Sequence, residues 1–409
     1  MAAKLILPLL SLLVFYTIFY FGEINGASKL VKESIASGKL PGSDAPLRKI
    51  YTGVEPIDEV LTVLTVFFWP TVDGSNLSLL VHSIGFSGTF GSAWVLVSLE
   101  AWRKGNAWKV IAFPMLFGLV AQVLTFAFST PLYCALQLLT SVTAVKPTAE
   151  NIRVPRAVLN AMPVVFFIGY MVPTAVLLIP VSEKVDTDLK QILIALWQPW
   201  PAYISTLLTA VHVVFSRFTS NDNNVEGGRA TLSSLRWVYA FAFAHTALDH
   251  IISWTIPLAS LGAPWLFKSE FLEALHPLVV FNIPKPWETP MIVENVGAGV
   301  HAFLRWDYLI GSAGVLVWAI SLYQTAQRVV YGRAGYGWLS VKVATLAALA
   351  GPVGAAVELL WERDELVMKE LGGLKRGASA SKQGLVDKKA GQSGKGRIVF
   401  RDGLTEQAR

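Results

Sequence analysis

The sequence has few charged residues and almost no cysteine. Asp, Glu, Lys and Arg make up only 15% of the 409 residues, whereas a typical soluble domain has about 25%. Cys134 is the single cysteine, which excludes an intrachain disulfide bond and a thiolate metal cluster. With 53% hydrophobic residues and a mean hydropathy of +0.51, the composition is typical of a membrane protein.

The sequence also lacks the common motifs of nucleotide and metal chemistry. It contains no P-loop, no dinucleotide-binding fingerprint, no nucleophile elbow and no H-E-x-x-H motif. The six histidines do not form the closely spaced boxes of a di-iron desaturase or hydroxylase. We therefore expect neither a cofactor nor a bound metal.

Eight apolar segments are long enough, or nearly so, to cross a bilayer as helices, which takes roughly 20 residues each. We therefore expect an all-α fold, a polytopic bundle of seven or eight transmembrane helices over residues 1–368. The first segment is interpreted as a retained anchor, with a signal sequence over residues 1–27 as the alternative. The segments are Leu5–Gly22, Leu77–Leu99, Trp108–Ser129, Ala157–Val181, Gln191–Phe215, Leu235–Leu258, Ala302–Thr325 and Trp338–Leu360.

A basic, low-complexity segment follows the predicted bundle. Residues 369–409 are rich in Gly, Ser, Lys and Arg, which is typical of a disordered tail that lies against an anionic membrane surface. Aromatic residues that would stack on bases are not interleaved with the basic ones, so we do not expect nucleic acid as a partner.

Two further stretches are neither simple spans nor short loops. Pro56–Pro70 is apolar but too short to cross a bilayer, so we expect it to lie in the interface or to re-enter the membrane. The connection Ala259–Val300 is the longest, and a loop of such length in a compact bundle usually has a purpose, such as a lid or a cap.

Asp307 stands out because it follows Arg305 near the start of an apolar run. Ionisable side chains within a membrane are rare and usually functional. Asp307 either pairs with Arg305 near the interface or faces a cavity as an acid. Trp306 and Tyr308 flank it, and the small residues that follow leave room for a ligand or a close helix contact.

Two other polar clusters have both a structural and a functional interpretation. Glu100 ends an apolar run one helical turn before Arg103, so it forms either an ion pair at the membrane surface or a carboxylate at a cavity mouth. His245 and Asp249 share one face of a predicted helix. They suit hydrogen bonding between helices, proton transfer or, with ligands from elsewhere, a metal site.

Asp58 and Asp73 bracket the short apolar stretch. Asp58 lies at a predicted helix start, where capping explains it as well as catalysis does. Asp73 precedes a glycine, and this pair is common in turns. Several tryptophans lie inside apolar runs or beside the two prolines of "LWQPWPAY", which we expect to break a helix and to expose backbone to a protein-lined cavity.

Carboxylates, histidines and aromatic rings in an apolar bundle suit acid–base chemistry in a dry cavity. Desolvation raises the pKa of a buried carboxyl group, which lets such a group act as an acid near neutral pH, and aromatic faces stabilise cations. This chemistry suits cyclisation of a polyprenyl chain, and equally isomerisation of a sterol double bond. Prenyl transfer is a further candidate, but a membrane prenyltransferase holds its diphosphate through Mg²⁺ on two acidic motifs. The acidic loops 182–188 and 220–228 would face opposite sides of the membrane if Gln191–Phe215 crosses once, so prenyl transfer is disfavoured.

Four motifs, in order, resemble a known family. They are "YTGVEPIDEVLTVLTVFFWPTVDG", "SLEAWRKG", "AQVLTFAFSTPLYCALQLLTS" and "FLRWDYLIGS". This pattern is similar to the fungal membrane-bound terpene cyclases of meroterpenoid and indole-diterpene gene clusters, of the macrophorin, ascofuranone and paxilline types. The matching acidic and basic positions are Asp58, Asp73, Glu100, Arg103 and Asp307.

The resemblance implies a helix bundle in the endoplasmic reticulum membrane. It implies a lipophilic prenylated substrate, a farnesyl or geranylgeranyl group that is often epoxidised, on an aromatic, indole or pyrone head. The reaction would begin with protonation of the epoxide or terminal alkene and would need no metal. The implied partners are membrane lipid and a pathway epoxidase and prenyltransferase.

We therefore predict an integral membrane terpene cyclase that starts cyclisation with an acid. The candidates for that acid are Asp307 and Glu100, with Asp58 as partner or base and with Asp249 and His245 as further candidates. The alternatives are a non-catalytic carrier or scaffold for a lipophilic intermediate, and a membrane isomerase or prenyltransferase. The predicted substrate-binding residues are Trp94, Trp197, Trp200, Trp254, Trp306, Tyr308, Arg103 and Asp73.

Overall fold

The computed structural model describes residues 2–216, 225–288 and 291–393, with side chains up to 368 except at 225–229. Helices dominate this part of the chain, which contains no β-strand. The helices are α1 Ala3–Val14, α2 Phe21–Ile24, α3 Ala27–Ser37, α4 Glu55–Val72, α5 Leu77–Ala101, α6 Pro114–Val123, α7 Phe126–Thr140, α8 Val142–Val145, α9 Arg156–Phe166, α10 Val172–Leu177, α11 Thr187–Trp197, α12 Trp200–Phe215, α13 Val225–Gly262, α14 Ser269–Leu272, α15 Pro277–Phe281, α16 Val296–Tyr331 and α17 Gly337–Ser393.

Five helices in the described ranges are long and apolar enough to cross a membrane. Two of them include a π-helical stretch, Phe15–Tyr20 between α1 and α2 and Phe167–Met171 between α9 and α10. These five helices coincide with five of the eight expected spans. They are Ala3–Ile24, Leu77–Ala101, Arg156–Leu177, Val296–Tyr331 and Gly337–Met368.

The other three expected spans differ from the prediction. The prediction of one continuous helix over Trp108–Ser129 is wrong, because α6 ends at Val123 and α7 begins at Phe126. The expected break in Gln191–Phe215 is confirmed, since α11 and α12 separate at Gln198 and Pro199. Leu235–Leu258 lies within the longer helix α13, which is not among the five.

The first part of the predicted tail has a helical backbone. Helix α17 continues to Ser393, whereas we expected irregular chain from residue 369. Residues 394–409 of the expected tail lie outside the described residues, as does most of the acidic loop 220–228.

The bundle is organised around α13 and α16. Helix α13 packs against α5 and α17, while α16 packs against α7 and α17, and α1 covers α7 and α16. Glycines on α5 allow α13 to approach closely: a Cβ atom at Gly88 would lie only 2.6 Å from the Cβ atom of Asp249. The outer surfaces of these helices carry exposed Leu, Ile, Val and Phe side chains, as expected of helices that face lipid.

Helix α17 is interrupted in its apolar part. Gly351 has φ +76°, which a residue with a side chain rarely adopts, and Pro352 follows it. Side chains of α13 bond to the carbonyl groups that the interruption releases: His250 Nε2 lies 3.2 Å from the oxygen of Ala348, and Thr246 donates to Ala350. A helix interruption inside a bundle is tolerated when neighbouring side chains satisfy the backbone in this way.

The long connection after α13 is fastened to the first half of α16. The Arg305 guanidinium donates to the carbonyl oxygen of Asn282 at 2.8 Å and to that of Val279. Trp306 Nε1 donates to the carbonyl oxygen of Pro284 at 2.8 Å. These bonds hold the segment around α15 against the helix that carries Asp307.

Candidate functional site

A cavity of about 280 Å³ lies between α4, α5, the α6–α7 break, α10 and the first part of α16. Its size is near the lower end of the range for small-molecule pockets. Along α5 the wall runs from Leu80 to Phe90, a rise of about 15 Å for an α-helix. Aromatic rings form much of the lining: Phe19, Phe67, Phe68, Phe86, Phe90, Phe126, Tyr170, Trp197 and Phe303.

Asp307 is the one carboxylic acid among the described lining residues. Its side chain is 4% exposed, and Oδ1 accepts the N–H of Ala127 at 2.6 Å. The N–H of Phe126 and the side chain of Thr125 also interact with the carboxyl group. Asp307 therefore meets the start of α7, where free N–H groups and the helix dipole stabilise negative charge.

The break before α7 creates this arrangement. Thr125 has the unusual backbone angle φ +155°, and its hydroxyl oxygen caps the helix by accepting the N–H of Phe128 at 2.9 Å. The free backbone N–H groups at the start of α7 then point at α16. The expected alternative, a pair between Arg305 and Asp307, does not form, because the Arg305 guanidinium bonds to carbonyl groups of the connection.

Two buried polar atoms in the cavity wall have no hydrogen-bond partner within the described part of the chain. They are Oγ1 of Thr71 and Nε2 of Gln122. An unsatisfied buried donor or acceptor costs about 1–3 kcal/mol. A ligand with an oxygen atom inside the cavity would satisfy the Gln122 amide.

A second polar group lies behind the α5 wall. Ser87 lines the cavity, and its hydroxyl oxygen lies 3.1 Å from Oδ2 of Asp249 on α13. Asp249 in turn lies 3.6 Å from Nε2 of His245. The predicted pair thus shares a helix face and contacts two lining residues, Ser87 at Asp249 and Tyr170 at His245, where the ring centroids are 6.0 Å apart.

Glu100 lies away from the cavity in a fully buried ionic cluster. Its Oε1 atom accepts from Nε of Arg103 and from Nη1 of Arg363, both at 2.5 Å. Arg103 also pairs with Asp364 at 2.7 Å, and the hydroxyl of Tyr239 donates to the same carboxylate at 2.8 Å. The cluster joins the end of α5 to α13 and α17.

Asp58 and Asp73 lie at the two ends of α4, and neither lines the cavity. Asp58 accepts the N–H groups of Tyr51, Thr52 and Gly53 at 2.7–3.1 Å. These bonds, above all the one from Thr52, hold the pKa of the Asp58 carboxyl below its ordinary value. Asp73 accepts the N–H of Ser75 at 2.8 Å, as in the turn interpretation.

Asp58 does line a separate open cleft of about 600 Å³. Lys49, Glu55 and Glu59 also border this cleft, and it shares Val63 with the cavity wall. The cleft is therefore adjacent to the cavity but is much more polar.

The predicted aromatic residues fall into three groups. Trp197 lines the cavity. Trp94 and Trp200 form a layer behind it, with ring centroids 5.5 Å and 5.2 Å from Phe90. The others contact other parts of the structure: Tyr308 packs against Phe86 and His82, Trp306 bonds to Pro284, and Trp254 stacks on Phe281.

Most of the cavity lining was not predicted. The phenylalanines of α4, α5 and α16 lack a polar atom, so in an apolar run they resemble residues that face lipid. The spacing of Phe86 and Phe90, one helical turn apart, and the adjacent pair Phe67 and Phe68 were the available signals. In the structure, these rings and Phe303 face the same cavity.

An apolar, ring-lined cavity with a buried acid, inside a helical membrane bundle, defines a protein that acts on lipophilic molecules. The CtvD-domain family matches residues 3–368, and the chain belongs to this family. This match confirms the resemblance on which the sequence prediction rests.

The chain is similar to several curated fungal proteins named terpene cyclases. It is 30% identical to terpene cyclase ctvD of Aspergillus terreus over 87% of this chain and 97% of that protein. It is 29% identical to terpene cyclase ascI of Acremonium egyptiacum over 90% and 92% of the two chains. With terpene cyclase penA of Penicillium crustosum the identity is 28% over 87% and 94%. No solved structure matches the chain.

Proposed function

We propose that the chain is a membrane terpene cyclase in which the Asp307 carboxyl group starts cyclisation. It would give its proton to a prenyl or epoxyprenyl chain held in the cavity. The observation that carries this proposal is the position of Asp307 in a wall of aromatic rings. The names of the relatives support the reaction class.

The residues of the cavity suit each step of such a reaction. Protonation of an epoxide oxygen breaks one C–O bond and leaves positive charge on carbon, which the next double bond attacks to close a ring. The faces of Phe86, Phe90 and Phe126 would stabilise that charge. The N–H groups at the start of α7 would stabilise the Asp307 carboxylate that remains.

Asp307 is preferred to Glu100 and Asp58 for geometric reasons. Glu100 accepts hydrogen bonds from two guanidinium groups in a cluster that has no contact with the cavity. Asp58 is occupied by backbone N–H groups outside the cavity. The carboxyl group of Asp307 faces the space in which a substrate would lie.

We further propose that Gln122 positions an oxygen atom of the substrate. Its amide N–H is buried in the cavity wall without a partner among the described residues. An epoxide, hydroxyl or carbonyl oxygen of the substrate would accept from it. A cavity that rejects substrates without such an oxygen gains selectivity, because the buried amide would then stay unpaired.

The surroundings of the cavity suit a protein that works within a membrane. The rim of the cavity carries exposed apolar side chains, including Val63, Val123 and Leu178, so a lipophilic substrate would enter from the bilayer. We propose seven or eight spans in the endoplasmic reticulum membrane, with the basic tail against an anionic lipid surface. A prenyltransferase and an epoxidase would supply the substrate.

The direct test uses microsomes that contain the full chain and a terminally epoxidised farnesyl phenol as the probe. Asp307→Asn keeps an oxygen that can accept from Ala127 but removes the acid. We expect it to slow cyclisation by at least about 100-fold, the usual contribution of a general acid. Asp44→Asn, which changes an exposed acid paired with Lys39, serves as the control.

The outcomes separate the candidate functions. A wild-type rate from folded Asp307→Asn would overturn the assignment of the acid. A carrier would bind the epoxide without converting it, a prenyltransferase would join two substrates, and an isomerase would move a double bond without forming a ring. Mass spectrometry and NMR of the extracted products distinguish these results.

A further inference from the structure

A row of polar side chains extends from the cavity wall on different helices from Asp307. The hydroxyl oxygen of Ser87 on α5 lies in the cavity wall, 3.1 Å from Oδ2 of Asp249 and 3.0 Å from the carbonyl oxygen of Ile84. Behind it, Asp249 lies 3.6 Å from Nε2 of His245. Three polar groups therefore follow one another from the Ser87 hydroxyl through the Asp249 carboxylate to the His245 imidazole.

The α5–α13 contact is built to hold these groups. A Cβ atom at Gly88 would lie 2.7 Å from Oδ2 of Asp249, and one at Gly91 would lie 2.7 Å from Cε1 of His245. Glycine at both positions therefore leaves the space that the two side chains occupy. The hydroxyl of Tyr170, another lining residue, donates to the Ser87 carbonyl oxygen at 2.8 Å and fixes this part of the wall.

This row is accessible from outside at Asp249. The Asp249 side chain is 21% exposed, whereas Asp307 is almost completely buried. Nδ1 of His245 lies 3.4 Å from the hydroxyl oxygen of Ser92, which donates to Ala242. Among the described residues, no lysine or arginine forms an ion pair with Asp249, so its carboxylate can accept a proton.

We propose that Ser87, Asp249 and His245 remove the proton that ends the cyclisation. This inference rests on the proposed function, because only a reaction through a carbocation needs such a step. The C–H bond beside the final cation breaks, and its electron pair forms a carbon–carbon double bond. The released proton passes to Oγ of Ser87 as the hydroxyl proton of Ser87 moves to Asp249.

In this scheme only Ser87 touches the substrate, while Asp249 and His245 act through it. Asp249, which is partly exposed, passes the proton to the exterior, while His245 packs beside the carboxylate. Asp307 regains one proton in each cycle. The substrate thus gains one proton and loses one, and its composition does not change. Separate groups for the first and the last proton let the cavity direct where the double bond forms.

The test compares the products of Ser87→Ala and Asp249→Asn with those of the wild type, using the epoxidised farnesyl phenol in microsomes. Both variants should still consume the probe, because Asp307 is intact. With the row interrupted, the cation would lose a proton from another carbon or capture water. We expect such products to increase at least about tenfold relative to the wild-type product.

Two matched variants make the experiment decisive. Ser253 on α13 lies at the same α5–α13 contact but does not line the cavity, and its hydroxyl donates to the carbonyl oxygen of His250 at 3.0 Å. Ser253→Ala is therefore expected to keep the wild-type product pattern. Ser87→Thr keeps a hydroxyl group and should restore most of the normal product.

The result that overturns the inference is specific. If Ser87→Ala and Asp249→Asn give the wild-type pattern, the row plays no part in the reaction. If both stop consumption of the probe as Asp307→Asn does, they act on the start of the reaction rather than its end, and the inference is again wrong. Failure of the proposed function itself would be seen separately, because the wild-type protein would then form no cyclic product from the probe.

Discussion

The carboxyl group of Asp307 has two surroundings at once, the first N–H groups of α7 and an apolar cavity. The contacts with α7 explain how the side chain is held in the bundle. They also decide which substitution is informative, because a residue without an acceptor would leave the N–H of Ala127 unsatisfied. Asn keeps that acceptor, so its effect on the rate reports on the proton.

Gln122 gives a prediction about substrate recognition. We expect Gln122→Leu to reduce kcat/KM for the epoxidised probe about tenfold, which corresponds to about 1.4 kcal/mol for one lost hydrogen bond. The loss should be much smaller for the same probe without the epoxide, whose binding leaves the amide unpaired. Initial rates over a range of probe concentrations measure the effect.

A matched control is available in the break between α11 and α12. The Gln198 amide is also buried without a partner among the described residues, but it does not line the cavity. Gln198→Leu should leave kcat/KM unchanged for both probes. Equal losses for the two probes in Gln122→Leu would contradict a hydrogen bond to the epoxide oxygen.

At the scale of the helices, interruptions shape the site more than regular segments do. The break at Thr125 supplies the N–H donors for Asp307. The break at Pro199 allows Trp197 to end α11 at the cavity while Trp200 starts α12 behind it. Broken helices are tolerated in membranes where other parts of the protein surround the backbone.

The contact between α16 and the start of α7 gives a prediction for Gly311. A Cβ atom at Gly311 would lie 2.2 Å from the Phe126 ring, which lines the cavity beside Asp307. Gly311→Ala should therefore push the ring aside and lower the free energy of unfolding by about 1–3 kcal/mol, as overpacking usually does. The displaced ring should also change the product distribution.

Thermal unfolding in detergent and product analysis measure the two effects. Gly262→Ala at the end of α13 is the control, because a Cβ atom there has no neighbour within 4 Å. The control should be as stable as the wild type and give the same products. If Gly311→Ala were as stable as the wild type, Gly311 of α16 would not pack closely against the Phe126 ring of α7.

At the scale of the whole molecule, two buried sites hold charged residues in different ways. Among the described residues, the cavity lining contains one acid, which has no basic partner, whereas the cluster of Glu100, Arg103, Arg363 and Asp364 pairs all its charges in a fully buried site. Gln137 of α7 adds a bond to Glu100 at 3.1 Å. The cluster therefore fastens four helices together at a distance from the cavity.

Glu100→Gln tests the separation of stability from chemistry. Removing one partner of a buried ion pair usually costs about 3–5 kcal/mol, because the remaining charges are left uncompensated. We expect a large loss of thermal stability, with the wild-type product pattern from the protein that remains folded. Glu150→Gln, in an exposed pair with Lys104, should change neither property.

The opposite result would reassign the acid. If Glu100→Gln were as stable as the wild type but failed to cyclise the probe, Glu100 would carry the proton. Size-exclusion chromatography of the detergent-solubilised variant shows whether the measured sample is folded. This experiment therefore distinguishes the two acids that the sequence ranks equally.

The sequence by itself determined the membrane bundle, the family and the short list of acids. Hydropathy and composition are properties of each segment alone, so they predict a membrane-spanning helix without knowledge of which helices it contacts. Asp307 is recognisable for the same reason, since a carboxylate in an apolar run is conspicuous. The helix break at Pro199 was predicted from its prolines, whereas the breaks at Thr125 and at Gly351, which Pro352 follows, were not.

Only the tertiary structure decided which of these residues share a site. The cavity arises where α4, α5, α10 and α16 meet, and these helices are far apart in the sequence. Helix packing faces Phe67 and Phe303 towards each other, places Glu100 between two arginines and brings Ser87 to Asp249. Such contacts depend on the approach of whole helices, which no local pattern of residues specifies.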